Sequence, residues 1–423
     1  MRILLVTDQY PPMVGGVPAT THKLAVDLVR RGHHVCVIAP GYCVRDAYRV
    51  EDGVHVYRFA SFEWPTYKDQ RIVFTPFRRF YKIIKEMNPD VVHVHSPVVL
   101  GNIAQLLAHP LGLPVIATNH FLPINMSRSL ATHPLFGKPF SKIVYSYLVF
   151  FYNFCDYVTA PTRTALNLLY DHGLRIPATP ISNGIDMQKF GPGQRDPQLL
   201  QRLGLPADRP IALHVNRLFH EKKVDVLVDA IAKLKTNAHV AIVGTGPAEA
   251  ELREQAARLN LGDKVSFLGF VSDEDLLPLR RSADLFVIPS EADLQSISTL
   301  EAMACGLPVI AANSYALAEL VDHGTNGFLF APGNSTELAQ HMDTLLSNPS
   351  LCVEMGQRSL QKVQVHDRER VLETWENLYR RLSIEFQEAK ADRQQMRLAR
   401  QEFWLSLFRG KSALERKMQE QEK

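Results

Sequence analysis

Two cations, Arg217 and Lys222, sit in "VNRLFHEKKVDVLVDA", after an apolar run and at the opening of a helical one. A guanidinium fork and an ammonium point charge beside a helix N-terminus suit a diphosphate. As a merely exposed helix start they would oppose the macrodipole. Two carboxylates, Asp293 and Glu301, lie eight positions apart in "PSEADLQSISTLEAMACG". Ser298 and Glu301 have the S-x-x-E spacing of a capping box, with Gly306 suited to the C′ position, so this stretch reads either as helix punctuation or as a ligand site. In "TDQYPPMVGGVPATT", Gly15 and Gly16 precede a helix whose bare N–H groups can hold an anion. Gly244-x-Gly246 does not complete the dinucleotide fingerprint, because Glu249 holds the third glycine position. It reads as a tight strand-to-helix turn. His120 ends "PVIATNH" and is expected to point into a cleft. His93 and His95 in "VVHVHSP" share one strand face and, without a third ligand of suitable spacing, do not read as a metal site.

These residues must be positioned by the elements before them. "RILLVT", "HVCVIAP", "VHVYRF", "VVHVHSP" and "PVIATNH" read as buried strands alternating with amphipathic stretches, the first of which carries Leu24, Val26, Leu28 and Val29 and ends at Gly32. That is the pattern of a doubly wound parallel sheet. It loosens around "SNGIDMQKFGPGQRDPQ", then restarts with "IALHVN", "VAIVG", "KVSFLG", "DLFVIP", "PVIAA" and "GFLF". The expected fold class is α/β: two Rossmann-like domains, 1–190 and 191–365, facing across a cleft, with a linker near 188–208. Residues 366–423 are expected to be helical, the first helix packing back on the N-terminal domain. Open α/β sheets bind ligands beyond the carboxyl ends of their strands, which directs attention to the polar residues that follow the strands.

A chain of 423 residues needs more than one core. "MRILLVTDQ" lacks the apolar length and cleavage region of a signal peptide, and the longest apolar stretch is broken by Asn102, Gln105 and His109. Five cysteines without CxxC spacing read as reduced thiols in a cytoplasmic protein. The net charge of +3 conceals 19 Lys+Arg against 12 Asp+Glu in residues 1–190, and 20 against 27 in 191–390. Different partners for a basic and an acidic half would follow, although solvated faces give the same imbalance.

The double glycine, the histidine after "PVIATN", "SNGID", "R-L-x-x-E-K", "VGTGP", "FLGFVSDEDL" and "LEAMACGLPVIA" follow one another along the chain. Together they resemble the retaining glycosyltransferases of family 4, with the GT-B fold, from Met1 to about Tyr379. The resemblance implies a nucleotide-diphosphate sugar in the second domain. Arg217 and Lys222 would hold its diphosphate, with Gly15 and Gly16 closing from the first domain. Glu301 would accept from the ribose hydroxyls beside Ile297 and Ser298, and the strand end at Phe270 and Val271 would supply backbone contacts to the base. His120 and Asp293 would contact the transferred sugar. It also implies transfer without a metal or other cofactor, by same-face attack in which the departing phosphate takes the acceptor proton. One departure stands out. Where the family usually has Glu then Gly-aromatic-Gly, this chain has Asp293, Leu294, Gln295 and Ser296.

The acceptor would sit in the basic first domain. "FRRFYKIIKEM" carries Phe77, Phe80, Tyr81 and Ile84 at helical spacing with Arg78, Arg79, Lys82 and Lys85, the composition of an interfacial helix attracted to anionic lipid. A core-facing helix is the alternative. Near the C-terminus, Arg393, Arg397 and Arg400 stand beside Phe403, Trp404, Leu407 and Phe408, as a membrane or self-association helix would require. The expectation is a peripheral enzyme at the inner face of the cell membrane, glycosylating a lipid such as diacylglycerol or a phosphoinositide. No nucleic-acid partner is expected, and the oligomeric state is open. Transfer to a soluble acceptor, or a non-catalytic sugar-nucleotide-binding protein, are the other readings.

Overall fold

The computed structural model describes residues 1–391 except 14, 43–44, 65–66, 75–76 and 124–136, so the basic, aromatic segment at 393–408 lies outside the described residues. The first domain is built on β1 (Arg2–Val6), β2 (His34–Pro40), β3 (Ala47–Glu51) and β4 (Val54–Phe59), followed by the hairpin β5 (Ser61–Trp64) and β6 (Tyr67–Val73). β7 (Val91–Val94), β8 (Val115–Thr118), β9 (Tyr157–Ala160) and β10 (Ala178–Pro180) complete its main sheet, in the order β10-β9-β8-β7-β1-β2-β4-β3. The second domain holds β11 (Ile211–Val215), β12 (His239–Val243), β13 (Val265–Gly269), β14 (Leu285–Ile288), β15 (Val309–Ala312) and β16 (Gly327–Phe330), in the order β13-β12-β11-β14-β15-β16.

Continuous apolar runs are what a sheet covered on both faces demands, and alternate residues serve opposite cores. Leu4 and Val6 of β1 join Phe80 and Ile84 on one face. Ile3 and Leu5 join Leu28, Trp375 and Tyr379 on the other. In the second sheet Ile242 and Val287 pack on one side, Val243 and Ile288 on the other. β3 eluded the sequence reading because it is an antiparallel edge strand with mostly exposed side chains, where no buried run is needed.

The segment 188–208 contains the helix Pro197–Arg202 and buries Phe190, Leu199, Leu200 and Leu205 in the second core. The chain passes between the domains twice, and the two crossings touch. The Ile185 N–H donates to the His366 carbonyl (2.8 Å) and the Arg368 N–H to the Ile185 carbonyl (2.9 Å). The helix at 368–391 then returns to the first domain, burying Trp375, Leu378, Tyr379 and Leu382. Each such side chain contributes roughly 1.5–3 kcal/mol of burial before entropy is charged. The Arg368 guanidinium also pairs with buried Asp27 and with Asp186, clamping the crossing to the helix Gly16–Arg30.

Candidate active site

Apart from β3, the strands of both main sheets run parallel, so their carboxyl ends share one edge in each domain and the two edges face each other. After β11, Arg217 is exposed with its guanidinium 4.8 Å from the Phe219 ring centroid. The loop is held by the turn after β12. Gly244 has φ +131°, and a Cβ there would meet the Asn216 carbonyl at 1.9 Å; one on Gly246 would meet the Leu218 carbonyl at 2.3 Å. Gly244-x-Gly246 is therefore a close-approach turn that seats the Arg217 loop, as its sequence suggested. Lys222 ends the one-turn helix His220–Lys222 and reaches back under the sheet edge. Its Nζ lies 2.8 Å from Asp293 Oδ1 and 3.4 Å from the Ala292 carbonyl. His214 of β11 is buried beside this pair; it meets the Val287 carbonyl through Nδ1 (2.8 Å), and burial holds its pKa at about 4.

Glu301 sits on the helix Ile297–Ala304, and here the structure corrects the expected cap. Ser296, not Ser298, is the N-cap, accepting from the Thr299 N–H, while Ser298 Oγ contacts Ser296 Oγ at 3.2 Å. No capping box forms because Thr299 holds the N3 position and Glu301 lies two residues beyond it. Its carboxylate instead pairs with Arg280, a buried guanidinium from the helix Asp273–Ser282. Burial raises the Glu301 pKa, opposed by Arg280, Lys189 and Lys23. Lys23 belongs to the first domain, so Glu301 faces it across the cleft. Ile297 is half-buried at the start of the same helix. Beyond β13, Phe270 is 83% exposed and Val271 is buried in the second core. The Val271 side chain is thus unavailable to a base, and only the backbone there can serve.

On the opposite side, His120 leaves β8 two residues after its end and meets His95, which follows β7. The two rings stack at an interplanar angle of 13° with Nδ1 of His95 3.0 Å from Nε2 of His120. Burial drives the His120 pKa down to about 4 and that of His95 well below the usual value. His93 is a core residue, bonded to Tyr379 Oη (2.8 Å) and Thr118 Oγ1 (2.6 Å). Lys23, His95, His120, Ser182, Asn183 and Arg368 line one recess between the helix Gly16–Arg30 and the helix at 368–391. Gly15 is the N-cap of Gly16–Arg30, and the space where a Gly16 Cβ would stand is open. A bare helix N-terminus of this kind can accept an anion.

Residues 14–189 match the family described as Glycosyltransferase Family 4, and residues 196–362 match Glycosyl transferases group 1. An uncharacterized glycosyltransferase of Methanocaldococcus jannaschii is 30% identical over 363 residues, which cover 82% of this chain and 90% of that protein. The chain is a family 4 glycosyltransferase. An alpha-monoglucosyldiacylglycerol synthase of Streptococcus pneumoniae is 28% identical over 359 residues, covering 83% of this glycosyltransferase and 80% of its relative. Among solved structures, the HepE protein of Anabaena in complex with UDP superposes with a TM-score of 0.70 at 22% identity, over 89% of this chain and 99% of that one, a likeness of GT-B fold.

The glycosyltransferase uses its unusual loop as an interdomain contact. Leu294 is buried with the first domain's core, beside Tyr145 and Phe151, and its carbonyl accepts from Thr162 Oγ1 (2.9 Å). Gln295 Oε1 accepts from the Asn183 N–H (2.8 Å), while Nε2 donates to Ser182 Oγ (3.0 Å) and the Pro161 carbonyl (3.3 Å). A glycine at 294 would keep the carbonyl contact but lose the burial, and an aromatic residue at 295 would supply none of the Gln295 amide's bonds. Sequence reasoning missed Lys23, His95 as a partner, Arg280 and Gln295. Only Gln295 carried a signal, as the departure from the family pattern; the others are placed by tertiary contacts alone.

The helix Phe77–Met87 divides its side chains differently from the expectation. Phe80 and Ile84 face the core with Ile83 and Met87, because a helix lying on a sheet must bury one stripe. Arg79 pairs with Asp46 and stacks over Phe59, so it is not a free surface cation. Phe77 and Tyr81 are exposed with Arg78, Lys82 and Lys85; Lys82 lies 3.6 Å from Glu86. Among the described residues, no helix of the glycosyltransferase is long and apolar enough to cross a membrane.

Proposed function

We propose that this glycosyltransferase moves a hexose from a nucleotide-diphosphate sugar to a hydroxyl of a membrane lipid of the diacylglycerol or phosphoinositide type, with retention of configuration. Arg217 and Lys222 bind the diphosphate, with Lys222 exchanging Asp293 for phosphate oxygens. Glu301 accepts from the ribose hydroxyls, and Phe270 and Val271 present backbone to the base. Gly15 and Gly16 approach from the first domain. In the transfer, the bond between the sugar C1 and the phosphate oxygen breaks while the acceptor oxygen bonds to C1 on the same face. The acceptor proton passes to the leaving phosphate. Fixed cations near that phosphate stabilise the charge as it develops, and no metal is required. His120 and Asp293 orient the sugar.

The observation that carries the lipid reading is the exposed face of the helix Phe77–Met87, where Phe77 and Tyr81 stand among Arg78, Lys82 and Lys85. Aromatic rings at the headgroup level and cations toward anionic lipid fit a peripheral position at the cytoplasmic leaflet. The lipid named in the pneumococcal relative's activity agrees with it. A thermal-shift panel of nucleotide sugars identifies the donor, and mass spectrometry of a lipid extract incubated with it identifies the product. Flotation with anionic vesicles should carry the protein upward, and an Arg78→Glu, Lys82→Glu, Lys85→Glu variant should stay behind. Glycosylation of soluble hydroxyl compounds with no lipid product and no flotation would replace the lipid acceptor by a soluble one.

A further inference from the structure

The imidazoles of His95 and His120 share one hydrogen bond, and that bond constrains where their protons sit. His95 is buried and His120 half-buried, and desolvation keeps both rings neutral. Between two neutral imidazoles only one of the facing nitrogens, His95 Nδ1 or His120 Nε2, carries the hydrogen. If it were His120 Nε2, His95 would carry its own proton on Nε2. That nitrogen is buried and has no hydrogen-bond partner among the described residues. An orphaned buried N–H is costlier than an orphaned lone pair, so the proton belongs on His95 Nδ1. His93 closes off the other side of His95, its ring centroid 4.0 Å away and both its nitrogens already engaged by Tyr379 and Thr118.

We infer that His95 donates through Nδ1–H to His120 Nε2 and thereby locks His120 as the Nδ1–H tautomer, a hydrogen-bond donor rather than a base toward the recess it lines. A free imidazole in water prefers the opposite tautomer, so the buried partner reverses a choice that His120 alone would not make. An Nδ1–H suits an oxygen of the transferred sugar or of its phosphate, and cannot take a proton from the acceptor hydroxyl. This role for His120 rests on the glycosyl-transfer reading. The tautomer itself does not, and His95 is a positioning residue in either case.

Long-range ¹H–¹⁵N correlation spectra of the full chain, labelled with ¹⁵N-histidine at neutral pH, read the tautomer without turnover. The His120 signals are identified by their loss in His120→Gln. The expected result is protonation at Nδ1 in the native protein and in His95→Asn, whose amide N–H overlays the imidazole Nδ1, and reversion to Nε2–H in His95→Leu. Turnover should fall about tenfold in His95→Leu with donor KM within about twofold, and His95→Asn should regain most of it. Nε2–H in the native spectrum, an unchanged tautomer in His95→Leu, or equal impairment of the Asn and Leu variants would overturn the inference. Native protein that transfers no sugar refutes the functional reading while leaving the spectrum to decide the tautomer.

Discussion

Lys222 Nζ stands 2.8 Å from Asp293 Oδ1, and the two side chains are only 8% and 13% exposed. Asp293 Oδ2 has no hydrogen-bond partner among the described residues, so Lys222 is the main compensation for this buried carboxylate. The pair joins the loop after β11 to the loop after β14, the two loops that border the proposed diphosphate site.

Lys222→Ala should therefore act twice. It should raise the transfer barrier by about 2–4 kcal/mol through lost stabilisation of the leaving diphosphate. It should also destabilise the fold by about 3 kcal/mol, because it strands a buried charge. Adding Asp293→Asn should recover most of the stability in urea unfolding but none of the turnover. Near-native turnover in the single variant would remove Lys222 from the diphosphate.

Arg280 is the next test. Its guanidinium holds Glu301 at the cleft, and it is itself buried against Phe190. Arg280→Met should raise the donor KM about tenfold with a smaller change in kcat, since a displaced Glu301 loses ribose contacts made equally in ground and transition states. Steady-state kinetics with saturating acceptor check this, and a pure kcat defect would place Glu301 elsewhere.

Gln295 and Leu294 tie the loop to the first domain. Gln295→Gly and Leu294→Gly, singly, should each lower thermal stability by about 1–3 kcal/mol through lost hydrogen bonds or burial. The double variant should increase the radius of gyration of the free enzyme in small-angle scattering. Unchanged scattering would mean that the contacts at the crossing, Arg368 with Asp27 and Asp186, suffice to hold the domains together.

Stability should rise with pH between about 4 and 6.5. Burial holds His120 and His214 at about 4, and His93 and His95 well below the ordinary 6.5. A folded-state pKa below the unfolded value gives stability that is full above 6.5 and lost as the pH falls toward 4. Asp8, lifted by burial to about 7, runs the other way: its contribution is full below its unfolded value and fades as the pH climbs to 7. Asp156 and Glu301, also raised by burial, act in the same sense as Asp8, and the four histidines outnumber these three carboxyls. His214→Asn, which keeps a donor for the Val287 carbonyl, should reduce the slope by at most about 1.4 kcal/mol per pH unit in urea titrations. An unaltered slope would show that His214 titrates normally in the folded protein.

Most interior strands of both sheets were legible in the sequence, because a strand covered on both faces must be apolar throughout, and "RILLV" or "LFVI" has few other uses; the short β9, "YVTA", was missed. The turn at Gly244 and Gly246 was legible too, since only glycine permits so close a backbone approach. β3 was not, as an edge strand carries no such demand. The helix Phe77–Met87 was recognised but its faces were misjudged: periodicity locates a stripe without saying which side meets the sheet.

By itself, then, the sequence determined the layer architecture and the residues that follow each strand, because burial and backbone sterics act locally and leave a periodic trace. Tertiary structure alone decided the partners. It gave Lys222 to Asp293, Glu301 to Arg280, His95 to His120 and Gln295 to Ser182. Each pairing spans 21 or more positions of the chain. Hydrogen bonds and ion pairs depend on distances that only the packed strands and the folded crossing between domains can set, and no local pattern encodes them.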